Sequence, residues 1–229
     1  MNGFFLAVDL LGFGNIIRNS DDSQLSIRID EWIDLVKKAA AHGAVSKISL
    51  ISDTVFAATE SSTEGLHGLI EMSRYLLSKG VRASLPVRGG ITHGQYTWGE
   101  FTYGKAVIES HSLEMNQNWI GITCSNNLPY VDQFWGIDSL ICYPPPMKKG
   151  LIGTSPVVAW DVPQFDDLTK YLCQKGLTAP NEFLQWPWAE KVSNTVQFGV
   201  YRRMVKKDQL DCKHFRGFLP IQAIEMNIK

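Results

Sequence analysis

Two aspartates occupy positions where a carboxylate needs an explanation. Between Phe4 and Leu11 every residue except Asp9 is apolar, a run that reads as a strand buried on both faces. A carboxylate there is costly unless an arginine or lysine, a backbone amide or a metal ion holds it. Asp53 lies in KISLISDTVFAATE, at the turn between two short strand-like segments. If the two strands are neighbours, both carboxylates converge on one edge of a sheet. Without a cation they would repel and raise a pKa; with a pair of divalent ions they become hard-metal ligands. Two-metal sites suit phosphoryl chemistry, one ion activating the attacking oxygen and the other steadying the leaving group. A plain turn or N-cap role is the commoner use of an aspartate such as Asp53, and stays open at this stage.

Three further features bear on the same chemistry. In LLGFGN, two glycines directly after the strand let backbone amides line a concavity for anionic oxygens, although a simple turn uses the same residues. Arg88 leads the Gly-Gly strand VRGGITHG, from which a bidentate fork reaches phosphate; a surface arginine at a strand start is the alternative. His93 and His111 read as partly buried polar side chains ahead of acid–base groups. Leu11 stands where a DxD phosphatase needs its second aspartate. Gly14 is followed by Asn15-Ile16-Ile17, not by the GxGxxG of a dinucleotide fold, and neither GxSxG nor HExxH occurs.

The elements that must position these residues alternate in type. QLSIRIDEWIDLVKKAAAHGA places Ile29, Trp32, Ile33, Val36 and Ala40 on one helical stripe, with Asp21 and its neighbours as cap and Gly43 as stop. TEGLHGLIEMSRYLLSKG repeats the pattern and is expected to end at Gly80. SLPVRGGITHGQYTWGEFTYG reads as strand, glycine-rich stretch, strand, and KAVIESHSLEMNQ as a helix. This β-α-ββ-α-ββ order through residue 117 predicts an α+β fold, an antiparallel or mixed sheet with helices on one face. Residues 118–229 follow as a C-terminal extension. There NWIGITCS and SPVVAWDVP read as strands, and a final helix runs from Trp188 to about Lys207. This second half either completes the same domain or builds a dimer.

The chain has 229 residues, 45% of them hydrophobic, and a net charge of −1. Such a balance argues against a nucleic-acid groove or a basic membrane face. Its four cysteines are scattered, without a zinc or disulfide spacing, which favours a reducing cytoplasm. Asp9 cuts the apolar start too short for a membrane span or a signal h-region.

Taken in order, FFLAVDLLGFGNII, KISLISDTVFAA, LPVRGGITHGQ and FTYGKAVIESHSLE resemble the catalytic core of class III nucleotidyl cyclases. Within that family they look most like the short bacterial cyclases of the Pycsar anti-phage systems. VDLLGF matches D-I-x-G-F, ISD the second metal aspartate, and RGGITHG the motif R-x-G-I-x-x-G; Gly104, Ala106, Glu109, Leu113 and Glu114 resemble the Pycsar form of the following helix. The resemblance covers roughly residues 3 to 115, and 1–117 would form the cyclase-like core with its ferredoxin-like arrangement.

What the resemblance implies is specific. Asp9, Asp53 and the Leu10 carbonyl would hold two Mg²⁺ or Mn²⁺ ions. Phe13, Gly14 and Asn15 would cradle a triphosphate and Arg88 would contact it. A homodimer would carry two sites at its interface, its cyclic product acting on a separate effector. Ser49 and Phe101 stand where adenylyl cyclases carry their base-reading lysine and aspartate, and Ile108 and Ser112 replace the helix Asn and Arg. A small residue and an aromatic suit a pyrimidine, with UTP favoured over CTP. A cyclase-like dimer that binds nucleotide without turnover is the alternative.

Overall fold

The apolar N-terminal run forms β1 (Asn2–Leu10), with Phe4 to Val8 fully enclosed. In this computed structural model, which describes residues 1–149, 153–174, 188–207 and 212–213, β1 lies within a seven-stranded sheet. Antiparallel to it run β3 (Thr54–Glu60) on one side and β4 (Val87–Gln95) on the other. β2 (Lys47–Ile51) forms the edge beyond β3. On the far side β5 (Gly121–Cys124) runs parallel to β4 and is followed by β7 (Ser155–Val158) and β6 (Leu140–Tyr143). The sheet is therefore mixed, and strands from the second half of the chain extend the one begun by the first.

Side-chain alternation divides β1 between two layers. Phe4, Leu6, Val8 and Leu10 join the main core with α2 (Asp22–His42) and α3 (Thr63–Arg82). Phe5 faces the other way, beside Ala58, Tyr96 and Ala106; Ala106 belongs to α4 (Lys105–Asn116). Helices α2 and α3 thus cover one face as expected, and α4 crosses the opposite face over β1 and β4. The short α1 (Phe13–Asn19) follows β1, α5 (Phe165–Leu172) follows β7, and α6 (Trp188–Lys206) occupies the span expected for the last helix. Calls on residues 208–211 and 214–229 lie outside the described residues.

Three local expectations change. The α2 stripe is centred on Trp32, Leu35, Val36, Ala39 and Ala40, with Ile29 and Ile33 at its margin. Helix α3 runs past Gly80 to Arg82, because buried Arg28 of α2 donates to the carbonyls of Ala83 and Ser84 (3.1 and 2.7 Å) and closes its C-terminus from outside. The second strand expected after the glycine-rich stretch shrinks to a single bridge, Thr97 to Tyr103. Asp21 caps α2 as read, accepting from the Gln24 amide at 2.8 Å.

Gly90 lets α4 reach the sheet. A Cβ added there would lie 2.6 Å from both the Leu113 Cβ and the Ser110 carbonyl. Gly90→Ala should therefore lift α4 off β4 and cost about 2 kcal/mol, read as a lower urea midpoint. An unchanged midpoint would mean that α4 is not seated on this glycine.

Candidate active site

Backbone pairing sets the first contacts. Asp9 lies opposite Thr54 on β3 and opposite Arg88 on β4. The Leu10 amide donates to the Asp53 carbonyl at 3.1 Å, and Ser52 turns the hairpin in the left-handed region with φ 58°. The β2–β3 turn is thereby stitched to the end of β1, with Asp53 close enough to act on the Asp9 charge.

The ion-pair partner of Asp9 is an arginine. Its carboxylate accepts from Arg88 Nη2 at 3.1 Å, and Arg88 Nε lies 2.7 Å from Oε1 of Glu114 on α4. The Nε contact is close but lacks the angle of a hydrogen bond. Arg88 Nη1 reaches the carbonyls of Gln117 at 3.3 Å and Met115 at 3.5 Å. Glu114 is only 2% exposed and its second oxygen lies 3.2 Å from His111 Nδ1. A buried amide fixes this corner: Gln117 donates to the Gly89 and Leu113 carbonyls and accepts from Trp119 and Thr123, all within 2.8 Å. Strand β4, helix α4 and strand β5 meet at that one side chain.

Burial first, and then the charges of Glu114 and Asp53, push the Asp9 pKa up to about 6 against the pull of Arg88. The site carries more negative charge than one guanidinium offsets. Carboxylate oxygens are hard donors, so Asp9 and Asp53 fit a hard divalent cation. Among the described residues no group of three or more His, Cys, Asp or Glu side chains gathers to hold a metal; a metal here would depend on backbone, solvent or substrate oxygens for the rest of its shell.

The raised pKa has a sign that can be measured. The folded chain holds the Asp9 proton between 3.8 and about 6, where the unfolded chain has released it. Ionisation of Asp9 therefore costs stability as pH rises through that window. Metal-free Asp9→Asn protein should be more stable than wild type near pH 7, the difference closing at about pH 4. A gap independent of pH would contradict this assignment.

The remaining predicted residues are placed as follows. Phe13, Gly14 and Asn15 form the first turn of α1, entered through Gly12 at φ 82°. The Asn15 amide donates to the Gly12 carbonyl at 2.9 Å, so it serves the turn itself. Ser49 lies opposite Phe56 on the outer strand pair, and its neighbours Ile48 and Leu50 take the core side; alternation puts Ser49 on the face that carries Asp9. Phe101, 76% exposed, lies beyond the Gln95 end of β4. That end is roughly 23 Å from Arg88, at about 3.3 Å per residue, so one chain does not bring Phe101 to Asp9. Near Phe101 a cavity of about 440 Å³ is lined by Asn2, Gln95, Thr97, Tyr103 and Lys105. His93 packs on Phe4 at 5.0 Å and shares a 2.8 Å hydrogen bond with Ser61, its pKa lowered by burial. His93 is thus partly buried as expected, whereas His111 is exposed and lies against Glu114.

Sequence reading placed Glu114 in the motif of α4 but gave it no role. A signal existed for one: α4 buries Ala106, Ser110 and Glu114 at four-residue spacing, a helical stripe with a charge in it.

Comparison with known proteins fixes the fold. No family profile and no curated protein sequence matches the chain. Solved structures do. A bacterial light-regulated adenylyl cyclase superposes with a TM-score of 0.53 at 12% identity, over 76% of this chain and 97% of that one. The adenylyl cyclase CyaB from P. aeruginosa gives 0.52 at 15% identity, over 69% and 93%. The guanylate cyclase domain of RhGC from Catenaria anguillulae, in complex with GTP, gives 0.55 at 15% identity, over 69% and 96%. The molecule is an α+β domain built on an open mixed sheet. Its fold is that of the class III nucleotidyl cyclases.

Proposed function

We propose that the chain is a metal-dependent nucleotidyl cyclase that converts a pyrimidine nucleoside triphosphate, UTP ahead of CTP, into its 3′,5′-cyclic monophosphate and pyrophosphate. The observation that carries this reading is the pair Asp9 and Asp53 at the stitched ends of β1 and the β2–β3 hairpin, with Arg88 beside them on a cyclase fold.

Asp9, Asp53 and the Leu10 carbonyl would hold two Mn²⁺ or Mg²⁺ ions, which would supply activation of the 3′-hydroxyl and charge neutralisation at the leaving group. The first turn of α1, at Phe13, Gly14 and Asn15, cradles the triphosphate. Arg88 is anchored on Glu114 and on the Met115 and Gln117 carbonyls, so its Nη2 edge is the part that turns from Asp9 to phosphate. The bound geometry sets the 3′-oxygen in line with the α-phosphorus, the bond to the β-phosphate breaks, and pyrophosphate leaves.

The opposed placement of Asp9 and Phe101 supports a head-to-tail homodimer, which turns the far end of one β4 towards the Asp9 end of the other. Ser49 and Phe101 offer the base a small polar contact and an aromatic face, which suits a pyrimidine. The resemblance to Pycsar cyclases gives the product its role: a cytoplasmic second messenger of anti-phage defence, read by a separate effector. A second reading has one observation behind it. Ile108, 68% exposed, and Ser112 offer α4 no cation for the transition state, as in a dimer that binds nucleotide without turnover. Steady pyrophosphate release from a pyrimidine triphosphate supports the first reading, and saturable binding without release supports the second.

A further inference from the structure

Gln117 closes α4, and its side chain is fully enclosed. An amide offers two N–H donors and two acceptor lone pairs, and here all four are used. Nε2 donates to the Leu113 carbonyl at 2.8 Å, satisfying the last turn of α4, and to the Gly89 carbonyl at 2.6 Å. Oε1 accepts from Trp119 Nε1 and from Thr123 Oγ1, both at 2.7 Å. These partners fix which way the amide points, since carbonyls only accept and an indole nitrogen only donates. Lys148 fastens the outside of the same turn, through the Met115 and Asn116 carbonyls. Gln117 fastens it inward, onto β4 and β5.

A satisfied buried glutamine often does no more than knit a core together. The bonds of this one lead to a single functional side chain. Gly89 follows Arg88 on β4, and Leu113 precedes Glu114 on α4. The main-chain carbonyl of Gln117 itself accepts from Arg88 Nη1 at 3.3 Å, and that of Met115, in the same turn, at 3.5 Å. Arg88 Nε lies 2.7 Å from Glu114. The backbone at the root of Arg88, its Nε and its Nη1 are therefore all referred to the turn that Gln117 holds. The edge left over is Nη2, which reaches Asp9 at 3.1 Å. A guanidinium is planar, so fixing Nε and Nη1 fixes where Nη2 points.

We propose that Gln117 is a positioning residue for Arg88, locking the corner of β4, α4 and β5 so that the Nη2 edge faces Asp9 and the phosphate oxygens of a nucleoside triphosphate. It touches no substrate itself. That Arg88 meets phosphate rests on the cyclase reading; that Gln117 holds Arg88 rests on the hydrogen bonds alone.

Two readouts on the full chain test this, one of them independent of turnover. In ¹⁵N-arginine-labelled protein the Arg88 Nε–H resonance is the one that Arg88→Met removes. It should stand apart from those of exposed arginines in wild type and collapse onto them in Gln117→Leu. In turnover with UTP and Mn²⁺, Gln117→Leu should raise KM about tenfold, the loss of one charge-assisted contact, with kcat within about threefold. Combined with Arg88→Met it should cost no more than Arg88→Met alone, because both variants remove the same contact. Thr123→Val deletes one donor to Oε1 while keeping the shape of the side chain; it should move both readouts the same way by a smaller amount, and it decides the matter if Gln117→Leu does not fold. Leu172→Ala, a truncation of a fully buried residue on α5, should lower stability and leave both readouts where they were. An Arg88 resonance unmoved in the folded Gln117 or Thr123 variant overturns the proposal, and so does an equal displacement in Leu172→Ala. If wild type cyclises UTP and Gln117→Leu keeps its KM, the positioning role falls and the cyclase reading stands. If the resonance moves as expected but no triphosphate is cyclised by wild type, the hold on Arg88 stands and the cyclase reading falls.

Discussion

Asp9→Asn should reduce cyclic nucleotide formation by at least about a thousandfold, because losing several kcal/mol of transition-state charge stabilisation has that effect on rate. Asparagine is isosteric and cannot neutralise a divalent ion, so the metal site is lost while the fold stays. Asp9 is partly buried among Glu114, Asp53 and Arg88. Removing its charge relieves repulsion in the metal-free chain, and the inactive variant should melt no lower than wild type near neutral pH. Asp53→Asn should lose activity comparably, since both carboxylates serve the same ions. Activity is read as labelled pyrophosphate release with Mn²⁺, and stability as a thermal midpoint in chelator. An Asp9→Asn protein that keeps a tenth of wild-type activity would remove Asp9 from the metal site.

The second large effect is on stability. Glu114 is 2% exposed and Arg88 13%, and together they form the buried part of the network. Arg88→Met leaves Glu114 enclosed beside a partly exposed His111, so the chain should lose roughly 3 kcal/mol of unfolding free energy. Helix α4, which carries the stranded carboxylate, is the element that should loosen. Arg88→Met together with Glu114→Leu removes both charges and should recover most of that loss. The double variant should remain inactive, because the phosphate contact has gone with the arginine. Urea denaturation of the two single variants and the double variant measures the coupling. Additive losses would mean that the two side chains do not hold one another.

What the sequence disclosed follows from how local each signal is. Asp9 is legible because one carboxylate interrupts an apolar run, and Asp53 because it sits at a hairpin turn beside Ser52. The elements carrying them are legible for the same reason: α2 and α3 have strong helical periodicity, and β1 is a continuous apolar strand. Helix α2 does stop at Gly43, as its sequence predicts, yet the glycine's φ of −84° is ordinary. A Cβ there would lie 2.2 Å from the Gly68 carbonyl, so close passage of α3 requires the glycine. Such a requirement depends on a neighbour distant in sequence. Arg28 closing α3 and Glu114 anchoring Arg88 are of the same kind. Each joins segments dozens of residues apart, and no local pattern encodes the pairing.

The most direct test of the central claim is incubation of the purified chain with each of the four labelled ribonucleoside triphosphates and Mn²⁺, with products separated by chromatography. The predicted result is a 3′,5′-cyclic pyrimidine monophosphate and pyrophosphate, UTP the better substrate, with none formed by Asp9→Asn. Absence of cyclic product from every triphosphate, or equal product from wild type and Asp9→Asn, would contradict it.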